Sequence, residues 1–132
     1  MDIATTRAAA LWVALHLLLL LLLSVRVVRQ RVKHGVQIGD GGVPELICAV
    51  RAFGNTAEYA PAGLAALLAM ALVQAPMAMI QVAGGALLAG RVIHAVGLSR
   101  TTAPSRSRVV GMTVTWLSYI FMIVALLFYA IG

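Results

Sequence analysis

The segment Leu11–Lys33 reads LWVALHLLLLLLLSVRVVRQRVK, with seven consecutive leucines at Leu17–Leu23. An apolar stretch that begins near Ala8 and ends near Val28 meets the roughly 20 residues a membrane-crossing helix needs. A cleaved leader is the competing reading. Against it, Asp2 and Arg7 cancel in the amino-terminal region, and no small-x-small cleavage pattern follows the leucines. Arg26, Arg29, Arg31 and Lys33 follow instead, as they do after a stop-transfer anchor.

The rest of the chain has the same character. Of its 132 residues 62% are hydrophobic and 11% charged, against about 25% charge in a soluble domain. Soluble globular, disordered and large multidomain classes are excluded. The expected architecture is an all-α integral membrane protein: one four-helix domain over 1–132, with spans near 8–28, 44–74, 77–98 and 108–131. Gly39-Asp40-Gly41-Gly42 is turn chemistry, Pro44 suits a first helical position, and Glu45 favours the helix dipole. The second helix would be roughly 45 Å long, more than the ~30 Å hydrocarbon core, and kinked by Pro61. Gln74-Ala75-Pro76 makes a short uncharged turn, and Gly84, Gly85 and Gly90 permit close helix approach in the third span.

The net charge of +6 would suggest nucleic acid in a soluble protein. In a membrane protein it reads as the positive-inside rule, and no nucleic-acid partner is expected. Arg26, Arg29, Arg31 and Lys33 in the first connection, with Arg100, Arg106 and Arg108 in the third, place both basic connections in the cytoplasm and both termini outside it. The single cysteine, Cys48, excludes an internal disulfide framework and reads as a small packing residue. His16, His34 and His94 have no metal-ligand spacing, so no metal is expected; His16 reads as packed against a neighbouring helix and His34 as solvated.

Ionisable groups inside a span are costly and therefore functional candidates. Arg51, Asn55 and Glu58 follow i, i+4, i+7 spacing with Tyr59 extending the stripe, and Arg91 and His94 are i, i+3. With Arg29, Arg31 and Arg108 they place one polar layer near the basic membrane surface. Arginines near helix ends also snorkel to headgroups, and Arg51 with Glu58 could form a structural ion pair. Asn55 and Glu58 serve neither topology nor lipid contact. Several guanidiniums with one carboxylate, an amide and a phenol match a small zwitterion with excess anionic groups. Glutathione fits, and so do other peptide-like or phosphate-bearing molecules.

The run Arg51-Ala-Phe-Gly-Asn55-Thr-Ala-Glu58-Tyr59-Ala-Pro61 resembles the second-helix signature of the MAPEG superfamily, membrane-associated proteins in eicosanoid and glutathione metabolism. Gly90-Arg91-Val92-Ile93-His94 is similar to the family's third-helix segment, and Gly39-Asp40-Gly41-Gly42 to its prokaryotic branch. The resemblance covers nearly the whole chain. It implies a homotrimer in a bacterial inner membrane, with glutathione between neighbouring subunits near the cytoplasmic face. By motif position Arg51, Asn55, Glu58 and Tyr59 would hold glutathione, joined by Arg91 and His94 and by either Arg29 or Arg31. An arginine at the start of the fourth helix would stabilise the thiolate; Arg108 is the first choice and Arg106 the alternative.

The function implied is a glutathione-dependent transferase or peroxidase acting on a lipophilic second substrate held in a groove between helices. Eicosanoid enzymes often carry a tyrosine one turn after the His94 position, where this chain has Leu98. A prokaryotic-type member with general glutathione chemistry is therefore the expectation. The alternatives are a non-catalytic glutathione-binding or scaffold member, and a small four-span multidrug-type transporter. Such transporters carry an acidic residue inside the first span, which residues 8–28 lack.

Overall fold

The computed structural model describes residues 3–131; Asp2, used above against a cleaved leader, lies outside them. Four helices follow one another: α1 (Ile3–His34), α2 (Pro44–Leu72), α3 (Met77–Arg100) and α4 (Arg106–Ile131). α1, α3 and α4 are each long and apolar enough to cross a membrane. α2 is also long, 29 residues, but carries Glu45, Arg51, Asn55 and Glu58 in its first half, which dilutes its apolar character.

Each helix ends where its sequence stops supporting it. α1 continues six residues past Val28, to His34, because nothing in Arg29–Lys33 breaks a helix. It stops at Gly35, whose φ of +66° is a left-handed conformation suited to glycine. The Asp40 carboxylate accepts the Gly42 amide at 3.0 Å, closing a side-chain turn before Pro44 opens α2. α2 runs unbroken through Pro61 and ends at Leu72, two residues before the expected Gln74, which takes a left-handed φ of 58°. α3 extends to Arg100 and α4 begins at Arg106, so the third connection is shorter than the expected residues 99–107.

α2 and α3 form the centre, since each touches every other helix, whereas α1 and α4 do not touch each other among the described residues. The most extensive contact joins α3 to α4. Small residues make it possible: Gly90 and Gly111 face each other at backbone contact. One apolar cluster lies at the end holding the α2–α3 turn, built on Leu67, Met70, Ile80, Leu87 and Met122. A smaller one, Leu23, Ala52, Ala95 and Leu98, lies toward the basic end. Outward faces of α1 and α4 expose leucine, isoleucine and valine side chains, the surface expected against lipid.

Candidate functional site

Between the two apolar clusters the chain buries polar side chains: His16, Asn55, Thr56, Arg91, His94, Thr115 and Ser118. Arg91 is the centre of this layer and is 0% exposed. Its Nη1 donates to Asn55 Oδ1 at 2.7 Å, and its Nε and Nη2 donate to Thr115 Oγ1 at 2.9 and 2.7 Å. Nη2 also lies 3.8 Å from Met112 Sδ. The guanidinium carbon stands 4.9 Å from the centroid of the Tyr59 ring, a cation–π distance. Thr115 can accept twice because its own hydroxyl proton goes to Gly111 O at 2.9 Å. Tyr119 adds a link from α4 by donating its hydroxyl to the Tyr59 carbonyl. One arginine on α3 thus joins α2 to α4 through uncharged partners.

The α2 stripe expected on one face is split by the edge of the bundle. At 3.6 residues per turn Glu58, Arg51, Asn55 and Tyr59 fan across roughly 100° of the helix. Asn55 and Tyr59 fall on the inner part of that arc and meet Arg91. Arg51 and Glu58 fall on the outer part, where both are exposed.

Arg91 and His94 also separate. Arg91 points into the chain, while His94 lines a groove between α3 and α4 with Arg108, Met112, Thr113 and Trp116, a space of about 320 Å³. Arg108 donates from Nη1 to the Ala103 and Thr102 carbonyls at 3.1 and 3.4 Å, which ties it to the α3–α4 connection above this groove. Arg106 does not line it and borders a neighbouring, more apolar surface with Val109 and Val110. Of the two first-helix candidates, Arg29 is exposed. Arg31 donates to the Gln37 and Val36 carbonyls at 3.1 and 3.5 Å, bracing the first connection.

Trp116, whose indole reads in the sequence as a packing or interface residue, lines the groove, and Thr115 is a site residue that neither type nor motif singled out. Thr115 had a signal: Gly111, Thr115 and Ser118 recur at i, i+4, i+7, a small polar stripe inside an apolar helix. His16 is packed against neighbours as expected. Its Nδ1 donates to the Trp12 carbonyl at 2.7 Å, and Nε2 is buried without a partner among the described residues. Cys48 is buried and unpaired.

The chain's sequence matches the profile of the MAPEG family over residues 9–128. It is 39% identical over 121 residues to the "Inner membrane protein YecN" of Escherichia coli strain K12, covering 92% of this chain and 91% of that protein. The YecN protein of an O6:H1 strain of Escherichia coli matches with the same identity and coverage. No solved structure matches the chain significantly. The family profile covers almost all of the sequence, both relatives align nearly end to end, and the fold is an all-helical bundle with membrane-crossing helices: the chain belongs to the MAPEG family.

Proposed function

We propose that this protein is a glutathione-dependent membrane enzyme, a transferase or peroxidase that activates the glutathione thiol for attack on a lipophilic partner. The observation that carries the reading is the exposure of Arg51 and Glu58 on one face of α2. A carboxylate and a guanidinium facing lipid would each cost a few kcal/mol. A zwitterionic ligand bound beneath a second copy of the chain removes that cost, and in this reading the assembly is a homotrimer. Arg51 takes a glutathione carboxylate through its two-pronged guanidinium, and Glu58 accepts from the ammonium. Asn55 and Tyr59 line the inner side of the same arc, held by Arg91, which acts as a positioning residue. Arg29 or Arg31 of the adjoining copy completes the anion site.

The α3–α4 groove supplies the reaction side. His94 and Arg108 stand over a floor that includes Val109, Met112 and Trp116, so a charged sulfur and an apolar partner can meet there. A free thiol has a pKa of about 8.5, and a neighbouring cation lowers it. Arg108 provides that cation. The thiolate sulfur then forms a bond to the electrophilic carbon, and the leaving group departs with its electron pair. Residues 1–132 make one membrane domain with α2 as a fourth span, in the inner membrane that YecN's name specifies. The basic connections face the cytoplasm and both termini lie outside it.

Glutathione titration of detergent-purified protein, following thiolate absorbance in the ultraviolet, tests this reading. Arg51→Ala and Glu58→Ala are each expected to raise Kd for glutathione about tenfold, the value of one charge-assisted hydrogen bond. Light scattering should show the oligomer unchanged. Unaltered affinity in both variants overturns the site. Arg108→Ala should leave Kd within about threefold while reducing the thiolate signal about tenfold, as loss of one adjacent cation implies. A thiolate signal that survives this change removes Arg108 from the chemistry.

A further inference from the structure

A second polar cavity, sharing no residue with the Arg51–Glu58 arc or with the His94–Arg108 groove, lies within one chain at the basic end of the bundle. It measures about 330 Å³ and is formed where the end of α1, the start of α2 and the end of α3 converge. Arg26 and Arg100 line it, and so do Glu45 and Gln30. Arg26 is fixed by donating from Nη2 to the Ser99 carbonyl at 2.6 Å, one of the last-turn carbonyls a helix leaves without an internal partner. Gln30 has the opposite status, since its side-chain carbonyl oxygen is buried with no donor among the described residues.

This cavity continues into an apolar groove. Arg26, Ser99 and Arg100 also border a space of about 300 Å³ that runs between α1 and α3 past Leu19, Leu23, Val92 and Val96. Val82, Val92 and Val96 are exposed apolar side chains of α3. A polar chamber at the basic end that opens into a groove lined by Leu19, Leu23, Val92 and Val96 has the polarity sequence of a phospholipid, headgroup first and acyl chain after it.

The chemistry of the chamber narrows the headgroup. Two guanidiniums call for a phosphate, which arginine binds through paired donors. Glu45 and the Gln30 carbonyl call for a hydrogen-bond donor beside that phosphate. A primary ammonium supplies one, a quaternary ammonium has no N–H, and a glycerol headgroup leaves the Glu45 charge uncompensated.

We propose that this chamber and groove form a binding site for a phospholipid with a primary-amine headgroup. The phosphate lies on Arg26 and Arg100, the ammonium on Glu45 and Gln30, and one acyl chain in the α1–α3 groove. Such a lipid would tie the start of α2 to the ends of α1 and α3.

Native mass spectrometry of the full chain in detergent tests the site, with ethanolamine-, choline- and glycerol-headed phospholipids of identical acyl chains. The ethanolamine lipid should be retained about tenfold more than the choline lipid, and more than the glycerol lipid, as one charge-assisted hydrogen bond implies. Arg100→Gln, at an exposed position, should lower ethanolamine-lipid retention about tenfold. Glu45→Gln should erase the preference for ethanolamine over choline, and Val96→Trp should block retention by filling the groove. Equal retention of all three lipids, or stronger retention of the glycerol lipid, overturns the headgroup assignment. Displacement of the lipid by soluble phosphoethanolamine at equal concentration overturns the role of the groove. Wild-type retention in both Arg100→Gln and the Arg26→Gln/Arg100→Gln double variant overturns the site itself.

Discussion

Replacing Arg91 by leucine is expected to destabilise the bundle by about 3 kcal/mol, a loss larger than any surface substitution should cause. Two effects oppose each other. Burying a guanidinium without a carboxylate is unfavourable, so an apolar side chain relieves a desolvation cost. The reference state in a membrane is not water, however, and arginines on separated helices also find carbonyls, water defects or headgroups. The relief is therefore small. Against it stands the Asn55 carbonyl, which loses its donor from Arg91 inside the chain; an orphaned buried acceptor costs about 1–3 kcal/mol. The volume Arg91 leaves, at 0% exposure, adds a cavity cost. Thr115 suffers less, because its hydroxyl still donates to Gly111 O.

Unfolding of purified protein in mixed micelles, followed by helicity, measures the loss. The Arg91→Leu/Asn55→Leu pair should recover about 1–2 kcal/mol relative to Arg91→Leu alone, since the orphaned carbonyl is gone. Arg91→Lys keeps the charge but not the fork that spans Asn55 and Thr115, so it should resemble leucine more than wild type. Wild-type stability in Arg91→Leu would mean the inner polar layer holds nothing together.

This prediction shows where the sequence was legible and where it was not. Helix identity followed from hydropathy and punctuation: the leucine run, Gly39-Asp40-Gly41-Gly42 with Pro44, and Ala75-Pro76 before α3. Their ends were set by local chemistry that hydropathy does not register. α1 continues through Arg29–His34 because arginine, glutamine and lysine are good helix formers. The residues of the polar layer were legible as types and spacings. Their orientations were not, because an arc of roughly 100° on α2 is cut by the bundle edge, and the position of that edge depends on how α3 and α4 pack. Spacing put Arg91 and His94 on one face of α3, and the family resemblance made both of them ligand contacts. Close packing of α3 on α4 turns the first inward onto Asn55 and Thr115 and leaves the second lining a groove with Arg108.

That close packing rests on Gly111, and Gly111→Ala is expected to cost about 3 kcal/mol, at the upper end for an added methyl group. A β-carbon at this position would overlap the His94 backbone nitrogen, and it would come within 2.7 Å of His94 Cβ and 2.8 Å of Gly90 O. Two of these three atoms belong to the main chain of α3, so no rotamer change relieves the clash and the helices must separate. Gly90 reports the same contact from the other side, where an added β-carbon would lie 2.8 Å from Thr115 N and 2.9 Å from Gly111 O. Separation lengthens the Arg91–Thr115 bonds, so the packing and polar losses are coupled and should not add independently. Gly85 provides the contrast. A methyl group there meets only Trp12 ring atoms, at 3.4 Å and beyond. Gly85→Ala should therefore stay within about 1 kcal/mol of wild type, the helix-propensity gain offsetting slight crowding. Comparable unfolding of the two alanine variants would mean that α3 and α4 are not in backbone contact. Loss confined to Gly111→Ala would establish that contact as the support on which Arg91, His94 and Arg108 take their places.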